Sequence, residues 1–188
     1  MKFSNSIFVI FLLAISLTAC KRDGSGAASQ GAGNVLFPDA GVSIDVGDGW
    51  KRIDISPGPP VCPPTLVGSA GVVRAMLFAP HVTDMQAATN AVRAMFDHNP
   101  DAVKDSYHQE PFTTDSGLHG QHAFYSDRTE KDGNITELRS HNFIVQRADG
   151  RCVSISYLAT AQSESDALEQ MIEKSLRLQG VKVVNSTN

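Results

Sequence analysis

No part of this sequence offers the roughly 20 consecutive apolar residues that a helix needs to cross a bilayer; the longest apolar run is 7–15. Cysteine is scarce, with three in the chain, and no two form a C-x-x-C pair. That absence removes the usual signature of a dithiol redox centre or a zinc ribbon. A G-x-S-x-G nucleophile elbow is missing, since Gly68-Ser69-Ala70-Gly71 lacks the central serine. A glycine loop of the phosphate-cradling type is missing too. Basic residues are in deficit, 16 against 20 acidic, giving a formal net charge of −4. Binding to nucleic acid or to anionic lipid rests on Lys and Arg, so this balance argues against both.

What is present begins at the first residues. Lys2 is the only charged side chain before Cys20, and it precedes the apolar run 7–15. A charged start and a short apolar segment form the order of an export signal. Leu17-Thr18-Ala19-Cys20 follows and resembles the lipobox of bacterial prolipoproteins. The resemblance implies diacylglyceryl transfer to the Cys20 thiol, then cleavage between Ala19 and Cys20. Several acyl chains, at about 0.8 kcal/mol per buried CH₂, hold far longer than one. Lys21 stands where an Asp would retain such a protein at the inner membrane, so the resemblance points to the outer membrane, facing the periplasm. The organisation expected is a signal peptide at 1–19, a lipidated cysteine and tether at 20–34, and one globular domain at 35–188. Residues 21–34 are rich in Gly, Ser and Ala, a flexible coil with an end-to-end distance of about 20 Å.

Once Cys20 carries lipid, Cys62 and Cys152 remain as a pair in an oxidising compartment. A bridge between them would close a loop of roughly 90 residues and stabilise by about 4–5 kcal/mol on the chain-entropy model. Two buried free thiols or a metal pair are the alternatives. We expect the disulfide.

In the domain, residues 42–53 alternate apolar and polar positions around Gly47-Asp48-Gly49, which predicts a hairpin. Residues 72–78 read as a buried strand. Thr83 and Gln86 have capping-box spacing, and Met85, Ala88, Val92 and Met95/Phe96 share one helical face before Asn99-Pro100 ends it. Segments 107–112, 121–127, 134–146 and 151–159 read as strands, the last three separated by Asp-Gly turns, hence an antiparallel meander. Ser163 and Asp166 open a second helix, with Leu168, Met171/Ile172 and Ser175/Leu176 inward and Gly180 as its stop. The expected class is α+β, an antiparallel sheet flanked by two amphipathic helices.

That order, the F-P-x-x-G-V-S-I opening from Phe37 to Ile44, Trp50 after a glycine turn, and a last helix following Val153, Ile155 and Tyr157 resemble the PsbP/Mog-type family of α/β/α sandwiches. The resemblance would span about residues 35–180. It implies a binding module, because that family shares no catalytic residues. Prolines within 57–64 and the cysteine pair depart from its pattern.

His119 and His122 form the only close histidine pair, but Gly117 and Gly120 place them in a turn, with no further ligand at a recognisable spacing. We therefore expect no metal, no cofactor and no catalytic residue. The charged run 127–132 reads as a solvated hairpin end. The functional expectation is a membrane-anchored, non-catalytic module for a periplasmic protein partner, held by acyl chains on Cys20. It would act as an immunity protein against a wall-targeting effector or as an envelope-assembly accessory. The loops at 57–64 and 117–122 would make contact. The alternative is an envelope enzyme whose site is assembled from dispersed residues.

Overall fold

A computed structural model describes residues 33–53, 65–131 and 133–179. The expected signal, Ala19, Cys20, most of the tether, the proline-rich segment with Cys62, and Gly180 lie outside them. No helix among the described residues is long and apolar enough to cross a membrane.

Ten strands and two helices make up the described domain. A large antiparallel sheet carries seven strands: β3 (Lys51–Ile53), β4 (Thr65–Gly68), β5 (Gly71–Leu77), β6 (His108–Thr113), β7 (His119–Lys131), β8 (Asn134–Gln146) and β9 (Cys152–Thr160). Their spatial order is β3-β4-β5-β9-β8-β7-β6, so β6 to β9 form the expected meander. A small second sheet holds β1 (Asn34–Phe37), β2 (Val42–Asp45) and β10 (Arg177–Leu178). The class is α+β, as the patterning implies, but with two sheets instead of one.

The hairpin expected over 42–53 does not form. β2 pairs with β1 and β10, whereas β3 pairs with β4. Gly47 and Gly49 both have positive φ (70° and 84°), and the turn they make carries the chain from one sheet to the other. Trp50 then packs over Gly68, where a Cβ would lie 2.8 Å from the indole ring. Only glycine permits that approach.

Strand alternation sorts the core into two layers. Phe143, Val145, Val153, Ile155 and Tyr157 point to one face, where they pack with Phe37, Val42, Ile44, Leu168 and Ile172. The small sheet and helix α2 (Asp166–Ser175) therefore cover this face. The intervening Ile144 and Cys152 point to the other face, under helix α1 (Met85–His98) with Ala88, Val92 and Phe96. The two helices thus sit on opposite faces of the large sheet.

Both helix starts shift from their expected caps. The Asp84 carboxylate accepts from the Ala87 N–H (2.7 Å), replacing Thr83, and Gln86 bonds Asn90 instead of closing a capping box. Ser165 caps α2 by accepting from the Leu168 N–H, while Ser163 bonds Thr160. A capping side chain stabilises by about 1 kcal/mol, and the residue at the geometric boundary takes the role.

The expected disulfide is corrected here: Cys152 is a free, fully buried thiol. It packs as a small apolar group beneath α1, beside Val92 and Ile144. Burial raises its thiol pKa above the usual value, with Asp84 adding to the rise. Of the readings open in the sequence, a buried free thiol is the one Cys152 fits.

Candidate functional site

The functional side chains of interest gather where β6, β7 and β8 pass under α2. In the antiparallel register His122 lies opposite Phe143, Phe124 opposite His141, and His141 opposite Tyr157. All these side chains share the α2-covered face. His122 is 1% exposed and His141 4%, so both imidazoles are core residues. The His122 ring stacks on Phe143 with centroids 4.3 Å apart, and the His141 ring stacks on Tyr157 at 5.5 Å.

Helix α2 brings the carboxylates. Tyr157 fixes its start, the phenol donating to the Ala70 carbonyl (2.9 Å) and accepting from the Ser165 N–H (3.0 Å). Glu164, just before the cap, lies 2.7 Å from His141 Nε2. Glu169, one turn into the helix, approaches His141 Nδ1 at 3.4 Å and His122 Nδ1 at 3.8 Å. Glu110 on β6 lies 3.6 Å from His122 Nδ1. Arg139 braces the outer edge, 3.8 Å from Glu164, 2.7 Å from Glu137, and donating to Ser126 Oγ.

The two rings meet directly, His122 Nε2 to His141 Nδ1 at 3.1 Å. Burial, and then the neighbouring His141, pushes the His122 pKa down to about 3, so this ring is neutral at physiological pH. Burial raises the Glu169 carboxyl, against the lowering effect of His141. His122 Nδ1 is buried and makes no hydrogen bond. One ring nitrogen from each of His122 and His141 and a Glu169 oxygen all lie within 4.8 Å of one another, a spacing able to hold a metal ion.

His119 is not part of this cluster. It lies in β7, three residues from His122 and so on the other sheet face, exposed and within 2.9 Å of Thr113 Oγ1. Gly120 belongs to the strand, not to a turn; it allows the Phe112 ring to lie where a Cβ would stand. Sequence proximity therefore picked the wrong partner for His122. Its partner lies one strand away, and only the period-2 alignment of His141 with Phe143 and Val145 hinted that it faces the core.

On the opposite face, α1 covers β7 and β8 and leaves the β5–β9 region open among the described elements. A shallow groove runs there between Met95 of α1 and the strand residues Val72, Arg74, Met76, Ser156 and Leu158. Met95 and Met76 are 55% and 36% exposed. Arg74 is half-buried and has neither an ion pair nor a hydrogen bond among the described residues. Met95, which the sequence pattern places on the buried face of its helix, is at the surface instead.

No family model matches the sequence, and no curated protein matches it. Solved structures do. The solution structure of cyanobacterial PsbP (CyanoP) from Synechocystis sp. PCC 6803 aligns at a TM-score of 0.52 and 16% identity, over 84% of this chain and 97% of that one. A crystal structure from Bacteroides thetaiotaomicron aligns at a TM-score of 0.51 and 17% identity, over 81% of this chain. The chain spans about half the length of that protein, 50%. LpqN of Mycobacterium tuberculosis, described as involved in cell envelope biogenesis, aligns at 10% identity over 81% of this chain and 88% of that one; its TM-score of 0.47 is too low to argue from. The shared property is a PsbP-like fold.

Proposed function

We propose that this chain is an exported lipoprotein, anchored through Cys20, whose domain binds a protein partner of the cell envelope without catalysing a reaction. The groove beside α1 carries the reading. Exposed methionines adapt to a partner's shape, and an arginine with no partner among the described residues is a ready anchor for a carboxylate. The partner chemistry follows: an apolar segment bearing an acidic side chain, laid across β5 and β9.

This charge match bears on the two versions of the binding role. An immunity protein against a basic wall hydrolase would use the acidic balance of the whole chain, and Arg74 in the groove gives that version no support. The reading is therefore stated for an envelope-assembly accessory. An enzyme site built on the close pair His119 and His122 would need both side chains and a carboxylate in one polar pocket. His119 and His122 face opposite ways, so they do not share such a pocket.

Co-purification from detergent-solubilised envelopes tests the binding role. Wild-type chain should retain a stoichiometric protein partner that Arg74→Glu loses, with unchanged thermal stability. Equal recovery by both chains would overturn the groove assignment.

A further inference from the structure

We propose that His122, His141 and Glu169 form a binding site for a single divalent transition cation, Zn²⁺ by its donor set. The argument begins with hydrogen-bond accounting. The Glu164 carboxylate, 2.7 Å from His141 Nε2, requires a hydrogen on that nitrogen. If His141 is neutral, its Nδ1 then presents a lone pair to His122 Nε2, 3.1 Å away.

With both rings neutral, two protonation patterns for His122 remain, and each has a defect. If His122 Nε2 carries the hydrogen, then Nδ1 is a bare lone pair, buried and facing the carboxylates of Glu110 (3.6 Å) and Glu169 (3.8 Å). Acceptor would face acceptor. If Nδ1 carries the hydrogen, its charge complements those carboxylates, but two ring lone pairs then oppose each other at 3.1 Å. His122 Nδ1 makes no hydrogen bond to protein, and its ring is 1% exposed.

Positive charge between the rings resolves both defects, whether as a second proton on His141 or as a metal cation. The three donor atoms gathered within 4.8 Å of one another favour the metal. His122 Nε2, His141 Nδ1 and a Glu169 oxygen become the ligands. The first pair is 3.1 Å apart and the second 3.4 Å. Tetrahedral zinc with bonds of about 2.0–2.1 Å needs ligand atoms roughly 3.3–3.4 Å apart. The remote nitrogens then donate outward, His141 Nε2 to Glu164 and His122 Nδ1 toward Glu110. A carboxylate behind each histidine is the usual outer arrangement of a protein zinc site, fixing the tautomer and strengthening the ligand. The surplus of carboxylates also supplies negative charge for a divalent ion to offset. Glu110 is 62% exposed and Glu169 25%, so the cluster reaches solvent along the rim between β6 and α2, where the ion and a fourth ligand could enter.

The full chain, stripped with a chelator and retitrated, tests the site. Calorimetry with Zn²⁺ should show one equivalent bound, and Co²⁺ should give the visible absorption of a tetrahedral nitrogen–oxygen site. His122→Phe, which keeps the ring stack on Phe143, and Glu169→Gln should each weaken Zn²⁺ at least 100-fold. Glu164→Gln should weaken it by about 10-fold or more. His119→Ala, on the other face, should change nothing. Circular dichroism identifies any variant that fails to fold, and Glu169→Gln, partly exposed, keeps the test decisive if His122→Phe does. Absence of binding, or binding equally strong in Glu169→Gln, would overturn the proposal.

Discussion

His122 and His141 stand 19 residues apart in sequence, yet their ring nitrogens meet at 3.1 Å in the core. The register of β7 on β8 produces this contact by setting the two histidines diagonally across one sheet face. The cluster depends equally on α2, whose first turn is pinned by Tyr157. Removing that phenol should therefore be felt at the helix start. Tyr157→Phe leaves the Ala70 carbonyl and the Ser165 N–H without their partner and should cost about 1–3 kcal/mol in a denaturant titration. Hydrogen exchange should quicken first at the amides of Ser165 and Leu168. Unchanged exchange there would remove Tyr157 from its role in placing Glu164 and Glu169.

Asp127 supplies a pH-dependent test on the other face. Burial, and then Asp101, pushes its carboxyl up to about 6, against the lowering effect of the Asn99 hydrogen bond (2.7 Å). The folded state therefore binds a proton that the unfolded chain, with an ordinary value of 3.8, releases earlier. Its contribution to stability is full below about pH 4 and is lost as pH rises through about 6. Asp127→Asn keeps an acceptor for Asn99 and removes the charge. The variant should melt higher than wild type at pH 7.5 and at the same temperature near pH 3.5. A constant difference across that range would contradict the assignment.

Cys152 should behave as a packed apolar group. Cys152→Ser places a hydroxyl among Val92 and Ile144 and should destabilise by about 1–3 kcal/mol; Cys152→Ala should cost less. The native thiol should resist alkylation until the protein unfolds. Rapid labelling of native protein at Cys152 would contradict its burial under α1.

Cys20 should be the sole point of lipid attachment. Cys20→Ser should leave the chain unlipidated and move it from the membrane to the soluble fraction after lysis. A variant that still sediments with membranes and is cut after Ala19 would contradict the anchoring proposal.

Both helices and most strands were legible in the sequence because period-2 and period-3.6 patterns are local, whereas the short strands β1, β4 and β10 were not read from it. The meander of β7 to β9 shows this, as its two Asp-Gly sequences mark the reversals. Pairing was less legible. Residues 42–53 read as a hairpin because alternation and a glycine turn are also what a crossing between two sheets looks like. The histidine cluster was hidden for a related reason: a His on an apolar strand face takes its meaning from the residue across the ladder. His119 drew attention by being close in sequence, yet an odd separation on a strand sends the two rings to opposite faces. The uncovered groove could not be read at all, since it reflects how far α1 reaches across the sheet.

The central claim, that the face beside α1 receives a protein partner, is tested most directly by photo-crosslinking in intact cells. A photoreactive residue at Met76, in the groove, is compared with one at Ile135, which is 70% exposed at the far end of β8. The account predicts one discrete adduct from Met76 that disappears with Arg74→Glu, and none from Ile135. No adduct at Met76, or the same adducts from both positions, would contradict it.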